Sequence, residues 1–197
     1  SDGALLRDEN YFIYKVNLVE KLLATVLAKM SNFIPEGGIW LNTQRPEWND
    51  ANNALVGNGV SMVTLFYLRR FLHFFEGVVS KSDENSFDIS TELVQFFNGV
   101  SMTLQAKSSI LSGKIFDKDR KTVLDGLGIA GSDYRAQIYD KGFSSDKGVI
   151  TKADLESFCK VSKDYLDHSI RANKRDDNMY HAYNLMTVEN KEEVSIS

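Results

Sequence analysis

The segment of residues 60–79 constrains the fold more than any other part of this 197-residue chain. It is apolar along most of its length, with charged or polar interruptions at Arg69, Arg70, His73 and Glu76. These interruptions exclude a membrane span, which needs about 20 consecutive, predominantly apolar residues. A helix that is apolar on nearly every side packs against neighbours on most of them. The sequence therefore predicts a helix over residues 60–79 that lies inside a double layer of helices.

Further helices are predicted where apolar residues recur at steps of three and four along the chain. The predicted ranges are 10–34, 91–112 and 152–172, with shorter helices near 119–127 and 133–139. Pro35 ends the first of these helices, and Ser90 and Thr151 are candidate N-caps of the second and third. The chain has only two prolines, which suits long helices because proline interrupts them.

Only the β-branched end Val194-Ser195-Ile196 has the character of a strand. Up-and-down helices joined by short loops predict an all-α fold of antiparallel helical hairpins. The length is that of one domain, so a single helical domain over residues 1–197 is expected. Neither end carries a recognisable domain boundary, which indicates a piece of a larger catalytic domain.

Charge and cysteine content narrow the possible functions. A net charge of −4 argues against nucleic-acid binding, which needs clustered Lys and Arg. The single cysteine, Cys159, cannot form an internal disulfide, which favours the cytoplasm. It follows Phe158 in a helical pattern, so a buried structural thiol is expected. No pair of His or Cys has the spacing of a zinc site, and no metal is expected.

The long connection of residues 39–58 contains the strongest candidate for chemistry. Residues 45–57 read Arg-Pro-Glu-Trp-Asn-Asp-Ala-Asn-Asn-Ala-Leu-Val-Gly and lead directly into the apolar segment. Long loops within compact domains are usually functional, and this one carries Trp40 and Trp48. An acidic residue here has two interpretations, because Asp50 could also be a helix N-terminal cap and Trp48 a core anchor.

These residues resemble the Asp-Trp-Asn-Asp-Gly-Met-Asn-x-Val-Gly loop of the cellobiose and chitobiose phosphorylases, which belong to the six-hairpin glycosidase superfamily. The resemblance implies an (α/α)6 toroid-like array of helices, with this loop entering an inner helix. It implies that Asp50 is the general acid and that Trp48 is part of the sugar-binding site. Asn49 and Asn53 also match the family pattern. Glu47 takes the place of the family's first Asp, which keeps a carboxylate but lengthens its side chain.

The chemistry of glycosidic bond cleavage fits these residue types. A carboxylic acid must protonate the leaving oxygen while a nucleophile attacks from the opposite side. A Trp face suits a sugar ring, and side chains such as Arg45 and Asn49 can bind hydroxyl groups. By the resemblance, a phosphorylase would use inorganic phosphate as co-substrate and would need no other cofactor, whereas a hydrolase would need a second carboxylate.

The sequence therefore predicts part of a glycoside hydrolase or phosphorylase. The expected partners are an oligosaccharide or disaccharide substrate and the remainder of the parent chain, with neither nucleic acid nor membrane. The isolated piece is expected to be inactive or nearly so, because a complete toroid needs about twice this length. The alternative is a helical scaffold or glycan-binding module without catalysis.

A second candidate group follows the last predicted helix. Tyr180, His181 and Asn184 lie within five residues of one another and could line a polyol-binding cleft. The alternative is that His181 is a structural residue in a helix-terminal turn. His73 and His168 are expected to be structural or surface residues.

Overall fold

The computed structural model describes residues 7, 11–42 and 54–197. In this part of the chain the helices are α1 (Leu18–Met30), α2 (Met62–Ser80), α3 (Thr91–Ala106), α4 (Asp117–Lys141) and α5 (Lys152–Ala172), with a 3-10 turn at Ser108–Ser112. The strands are β1 (Phe33–Ile34), β2 (Gly38–Trp40), β3 (Gly59–Ser61), β4 (Ser86–Ser90), β5 (Lys147–Thr151), β6 (Tyr183–Glu189) and β7 (Glu193–Ile196).

The fold is mixed α/β, and the all-α prediction is wrong. An antiparallel sheet has the strand order β1-β2-β3-β6-β7, and β4 pairs with β5 in a separate two-stranded sheet. The toroid-like array of helical hairpins is therefore wrong as well. The strands β1, β2 and β3 are only two or three residues long, which is too short for an alternating pattern to be recognised. The predicted strand at Val194-Ser195-Ile196 is confirmed, because it lies in β7.

The helix predictions agree with the structure where local sequence determines them. Helix α5 begins and ends at the predicted residues, and α2 runs one residue beyond the predicted end. Helix α1 is much shorter than predicted, because Asn17 caps it by accepting the backbone N–H of Glu20 at 2.8 Å. The two short helices predicted after residue 119 form one long helix, α4.

Two glycines within α4 serve close packing between helices. A Cβ on Gly126 would lie 2.7 Å from the Thr103 side chain, and one on Gly131 would lie 2.8 Å from Ser31. Contacts this short leave no room for a side chain, so glycine lets α4 approach α3 and the end of α1. The low helical propensity of glycine is outweighed by this packing.

The larger of two apolar clusters lies between the helices and the sheets, and it covers α2 on one face only. Leu65, Leu72 and Phe75 of α2 are fully buried. Tyr67 and Phe74 of the same helix are 68% and 57% exposed. The prediction of neighbours on most sides of this helix is therefore wrong for the described part of the chain.

The reactivity of the chain's only cysteine can be used to measure how often this core opens. Cys159 lies fully buried in α5, and burial raises its pKa to about 12. We expect a thiol-specific disulfide reagent at about pH 8 to label the native chain at least about a hundredfold more slowly than the chain in denaturant, because the thiol is both protonated and shielded. Absorbance of the released reagent measures both rates. Equal rates would show that α5 opens without unfolding of the core.

Candidate functional site

A cavity of about 730 Å³ lies where the β1–β2 hairpin meets the start of α4, the end of α5 and the β6–β7 edge of the sheet. We call it the hairpin cavity. Its polar lining includes Glu36, Arg120, His168, Asn173 and Asn184. Its volume is within the range of about 300–1,000 Å³ that is usual for small-molecule sites. It includes one of the substrate-binding residues expected from the sequence, Asn184.

Glu36 is held at the tip of the β1–β2 hairpin. Its φ of 59° is unusual for a residue other than glycine, and contacts with α5 keep it there. Its backbone N–H donates to the Ser169 hydroxyl at 2.9 Å, and its carbonyl oxygen accepts from Asn173 Nδ2 at 2.7 Å. These two hydrogen bonds hold the hairpin tip against the C-terminal end of α5, so the backbone from which the Glu36 side chain extends is fixed.

The Glu36 carboxylate has three hydrogen-bond or ion-pair partners. Oε2 accepts from Arg120 Nη2 at 2.7 Å, and Oε1 accepts the backbone N–H of Ile115 at 3.1 Å. His168 Nε2 lies 3.1 Å from the same Oε1 and makes an ion pair when the imidazole is protonated. These partners hold the Glu36 carboxylate in one orientation.

Arg120 joins the walls of the hairpin cavity. It is 3% exposed, and all five of its N–H groups donate. The acceptors are the Glu36 and Asp117 carboxylates and the carbonyl oxygens of Pro35, Ile115 and Val194. These residues belong to the β1–β2 hairpin, the segment before and start of α4, and β7. Arg120 therefore determines how the sheet lies against α4.

Asn184 closes this network from β6. Its Nδ2 donates to the Gly37 carbonyl oxygen and to Asn173 Oδ1, both at 2.7 Å. The side chain is buried, and its backbone is paired with Val60 of β3. Asn184 lines the hairpin cavity, but both of its amide hydrogens are used within the chain, and its part in binding a polyol stays a prediction.

Tyr180 and His181 do not line the hairpin cavity. The Tyr180 ring packs edge-on against Phe66 of α2, with ring centroids 5.2 Å apart. His181 is exposed to solvent. The segment is held at the start of α2, because the backbone N–H groups of Met62 and Val63 point at the Ala182 carbonyl oxygen, at 3.0 and 3.4 Å. The structure thus separates these two residues from Asn184.

Most candidate residues of the 45–57 segment lie outside the described residues. They are Arg45, Glu47, Trp48, Asn49, Asp50 and Asn53. The flanks of the segment are described and lie side by side. Leu41 and Gly59 are bonded through Leu41 N–H and the Gly59 carbonyl at 2.9 Å, and Gly57 N–H donates back to Leu41 at 2.7 Å. The described residues on the two sides of the segment are thus paired with each other next to β2 and β3.

Apart from Asn184, the polar residues that line the hairpin cavity were not identified as site residues from the sequence. Glu36 was not singled out from the sequence, and His168 was interpreted as a structural or surface residue. One signal could have identified Arg120, because it lies three, four and seven residues before Val123, Leu124 and Leu127 on the buried face of α4. A charged residue in such a position requires buried partners.

No protein-family model matches the chain, and no curated protein matches its sequence. Among the described residues no group of three or more His, Cys, Asp or Glu side chains is placed to hold a metal ion. No helix in the described ranges is long and apolar enough to cross a membrane. The function must therefore be argued from the residues themselves.

Proposed function

We propose that the chain is part of a carbohydrate-active enzyme that cleaves a glycosidic bond by hydrolysis or phosphorolysis, with Asp50 as general acid. The observation that carries the proposal is the 45–57 segment, where Trp48, Asn49, Asp50 and Asn53 match the loop of the phosphorylases named above. The residue types suit the reaction, since Asp50 could protonate a leaving oxygen and Trp48 could support a sugar ring.

The flanks of this segment support the proposal. A catalytic group needs a rigid support, and loops that carry function are usually positioned by regular structure. Both ends of the segment are hydrogen-bonded to each other through Leu41, Gly57 and Gly59. The Trp40 indole N–H also donates to the Gly57 carbonyl oxygen at 3.0 Å. The described residues on the two sides of the segment are therefore held against each other next to β2 and β3.

The test compares Asp50→Asn with the wild type in the longest natural chain that contains these residues. Turnover is measured on a panel of disaccharides, with and without phosphate. We expect Asp50→Asn to abolish turnover of unactivated disaccharides and to retain more activity on aryl glycosides, whose leaving groups need little protonation. Dependence on phosphate would identify phosphorolysis.

Glu47→Gln is the matched control, because it removes a carboxylate from the same segment. It should reduce turnover on both kinds of substrate by a similar factor, without the selective rescue by good leaving groups. Wild-type activity in Asp50→Asn on unactivated disaccharides would refute the assignment of the general acid.

A glycan-binding module without catalysis is the second candidate, and one observation favours it. Both side-chain carboxylates that line the hairpin cavity, Glu36 and Asp117, are paired with Arg120, so both are already engaged within the chain. Calorimetry with the same disaccharides distinguishes the two candidates. Binding that is lost in Asn184→Ala, without turnover in wild type, would support the module and not the enzyme.

A further inference from the structure

The hairpin cavity has an excess of positive side-chain charge. Three of its lining side chains are cationic, those of Lys114, Arg120 and Arg171. Two are carboxylates, those of Glu36 and Asp117, and Arg120 is paired with both. Lys114 and Arg171 form no ion pair with any described residue. This excess is local, because the chain as a whole has a net charge of −4.

The two unpaired cations come from different elements at the cavity. Lys114 lies in the segment between the 3-10 turn and α4, and Arg171 lies in the last turn of α5. Both residues are exposed to solvent, so a ligand can reach their charged groups. Lys and Arg side chains donate charge-assisted hydrogen bonds to carboxylate and phosphate oxygens. An anionic group in the cavity therefore has cationic donors available from two elements.

Asn184 provides the opposite kind of group, a hydrogen-bond acceptor. Its amide orientation is determined by its neighbours, because Asn173 Nδ2 donates to the carbonyl oxygens of Glu36 and Ser169 at 2.7 and 2.8 Å. Asn173 can therefore offer Asn184 only its oxygen, and the atom of Asn184 that donates to it is Nδ2. The second hydrogen of this Nδ2 is donated to the Gly37 carbonyl oxygen. Asn184 thus keeps Oδ1 as an unused acceptor.

This unused oxygen is accessible on a residue that is otherwise buried. Asn184 is only 6% exposed. No described residue donates to its Oδ1, and this atom is not one of the fully buried oxygens without a partner. Oδ1 is therefore open to solvent, and Asn184 lines the hairpin cavity. An accessible acceptor on a buried amide is a fixed point to which a ligand hydroxyl can donate.

His168 provides a second acceptor. Its Nε2 lies 3.1 Å from Glu36 Oε1, and its side chain is 12% exposed. The ring nitrogen that faces a carboxylate carries the hydrogen, so Nδ1 is the unprotonated nitrogen of the neutral ring. No described residue donates to this Nδ1. The cavity therefore has fixed acceptors in its wall as well as exposed cations.

These groups define the chemistry of a suitable ligand. Acceptors held by buried or nearly buried side chains suit the hydroxyl groups of a small polyol, and the two cations suit an anionic group. The hydroxyl-bearing residues Ser195 and Ser197 also line the cavity, whereas the apolar side chains of its lining are only those of Ala172 and Ile196. The ligand is therefore polar along its whole length.

We propose that the hairpin cavity binds an acidic monosaccharide, with a hydroxyl that donates to Asn184 Oδ1 and an anionic group that accepts from Lys114 and Arg171. The anionic group is a carboxylate, as in a uronic acid, or a phosphate, as in a sugar phosphate. This deepens the second candidate function, on which it rests for the location of the ligand, and it does not require catalysis by Asp50.

The test titrates glucuronate and glucose 6-phosphate into the 197-residue chain by calorimetry, with glucose as their neutral counterpart. We expect saturable binding of at least one acid and about tenfold or weaker binding of glucose, because the cations attract only the acids. The tighter of the two acids identifies the anionic group. If neither acid binds more tightly than glucose, the proposal is overturned. Neutral disaccharides that still bind in that case, and lose affinity in Asn184→Ala, would leave the binding module standing without an acidic ligand.

Replacing both cations, by Lys114→Gln together with Arg171→Gln, should weaken binding of the acid by about tenfold or more. Lys118→Gln together with Lys174→Gln is the matched control, because it removes the same charge from exposed residues outside the cavity lining. The control should leave the affinity unchanged. An equal loss in the two double variants would reduce the effect to net charge and contradict the proposal.

The ring protons of His168 locate the ligand in the wild type. Their resonances should shift and saturate with the added acid, whereas those of His73 and His181 should stay unchanged, because neither residue lines the hairpin cavity. Saturating shifts at His73 or His181, with none at His168, would place the ligand elsewhere and refute the site.

Discussion

Replacing Arg120 by methionine is expected to destabilise the folded chain by about 3–5 kcal/mol, because it breaks a buried ion pair from one side. Methionine keeps much of the volume of the side chain but donates nothing. The carboxylate of Glu36, with 12% side-chain exposure, would lose its Arg120 partner. The carbonyl oxygens of Pro35 and Val194 would lose the Arg120 donors that now reach them at 2.9 and 2.7 Å. Urea unfolding followed by circular dichroism measures the loss.

Arg69→Met is the control for this experiment. Arg69 also pairs with a carboxylate, that of Asp167 at 2.7 Å, but the two side chains are 45% and 33% exposed. Exposed ion pairs contribute about 0–1 kcal/mol, so this variant should unfold close to the wild type. A similar loss in both variants would show that the Arg120 network contributes no more than an ordinary surface pair.

The sequence predicted those elements whose signals are local. Thr151 begins α5 with a reciprocal cap, in which Thr151 and Asp154 each bond the backbone N–H of the other. This signal and the apolar spacing that follows it lie within one stretch of chain, so the helix could be predicted to the residue. Helix α2 was predicted nearly as well because it is apolar over five turns.

The strands other than β7 could not be predicted because they depend on pairing with distant parts of the chain. Strand β3 is three residues long and lies between β2 and β6, with Val60 opposite Asn184. Neither neighbour can be inferred from the three residues of β3 themselves. Such short strands form because the sheet as a whole satisfies their backbone groups, and this is a tertiary effect.

The same difference between local signals and distant contacts applies to the candidate site. Asn184 was selected because polar and aromatic residues cluster near it in the sequence. Glu36 and Arg120 were missed because they are 84 positions apart in the sequence and form an ion pair only in the folded chain. The exposed face of α2 was missed because this helix is apolar on nearly every side. Apolar residues such as Tyr67 and Phe74 do not by themselves indicate which side of a helix is buried. The role of Asp50 stays a prediction from the motif.

Replacing Phe158 by alanine is expected to cost about 3–5 kcal/mol, because it removes a large side chain from the centre of the core. Phe158 is fully buried in α5, and its ring lies 5.3 Å from that of Phe97 in α3. Alanine is the best helix former, so the loss would come from the cavity and the lost burial, not from the helix itself. The midpoint and slope of urea unfolding measure it.

Phe74→Ala is the control, and it separates the effect of losing buried surface from the effect of replacing a phenylalanine. Phe74 is also helical, in α2, but is 57% exposed and should cost far less than Phe158. Because His168 lies in the last turns of α5 and Asn173 directly follows the helix, partial loosening of the core contacts of α5 should also disturb the hairpin cavity. If Phe74→Ala proved as costly as Phe158→Ala, the exposed face of α2 would have to be covered in solution, and the assignment of core and surface in this helix would be wrong.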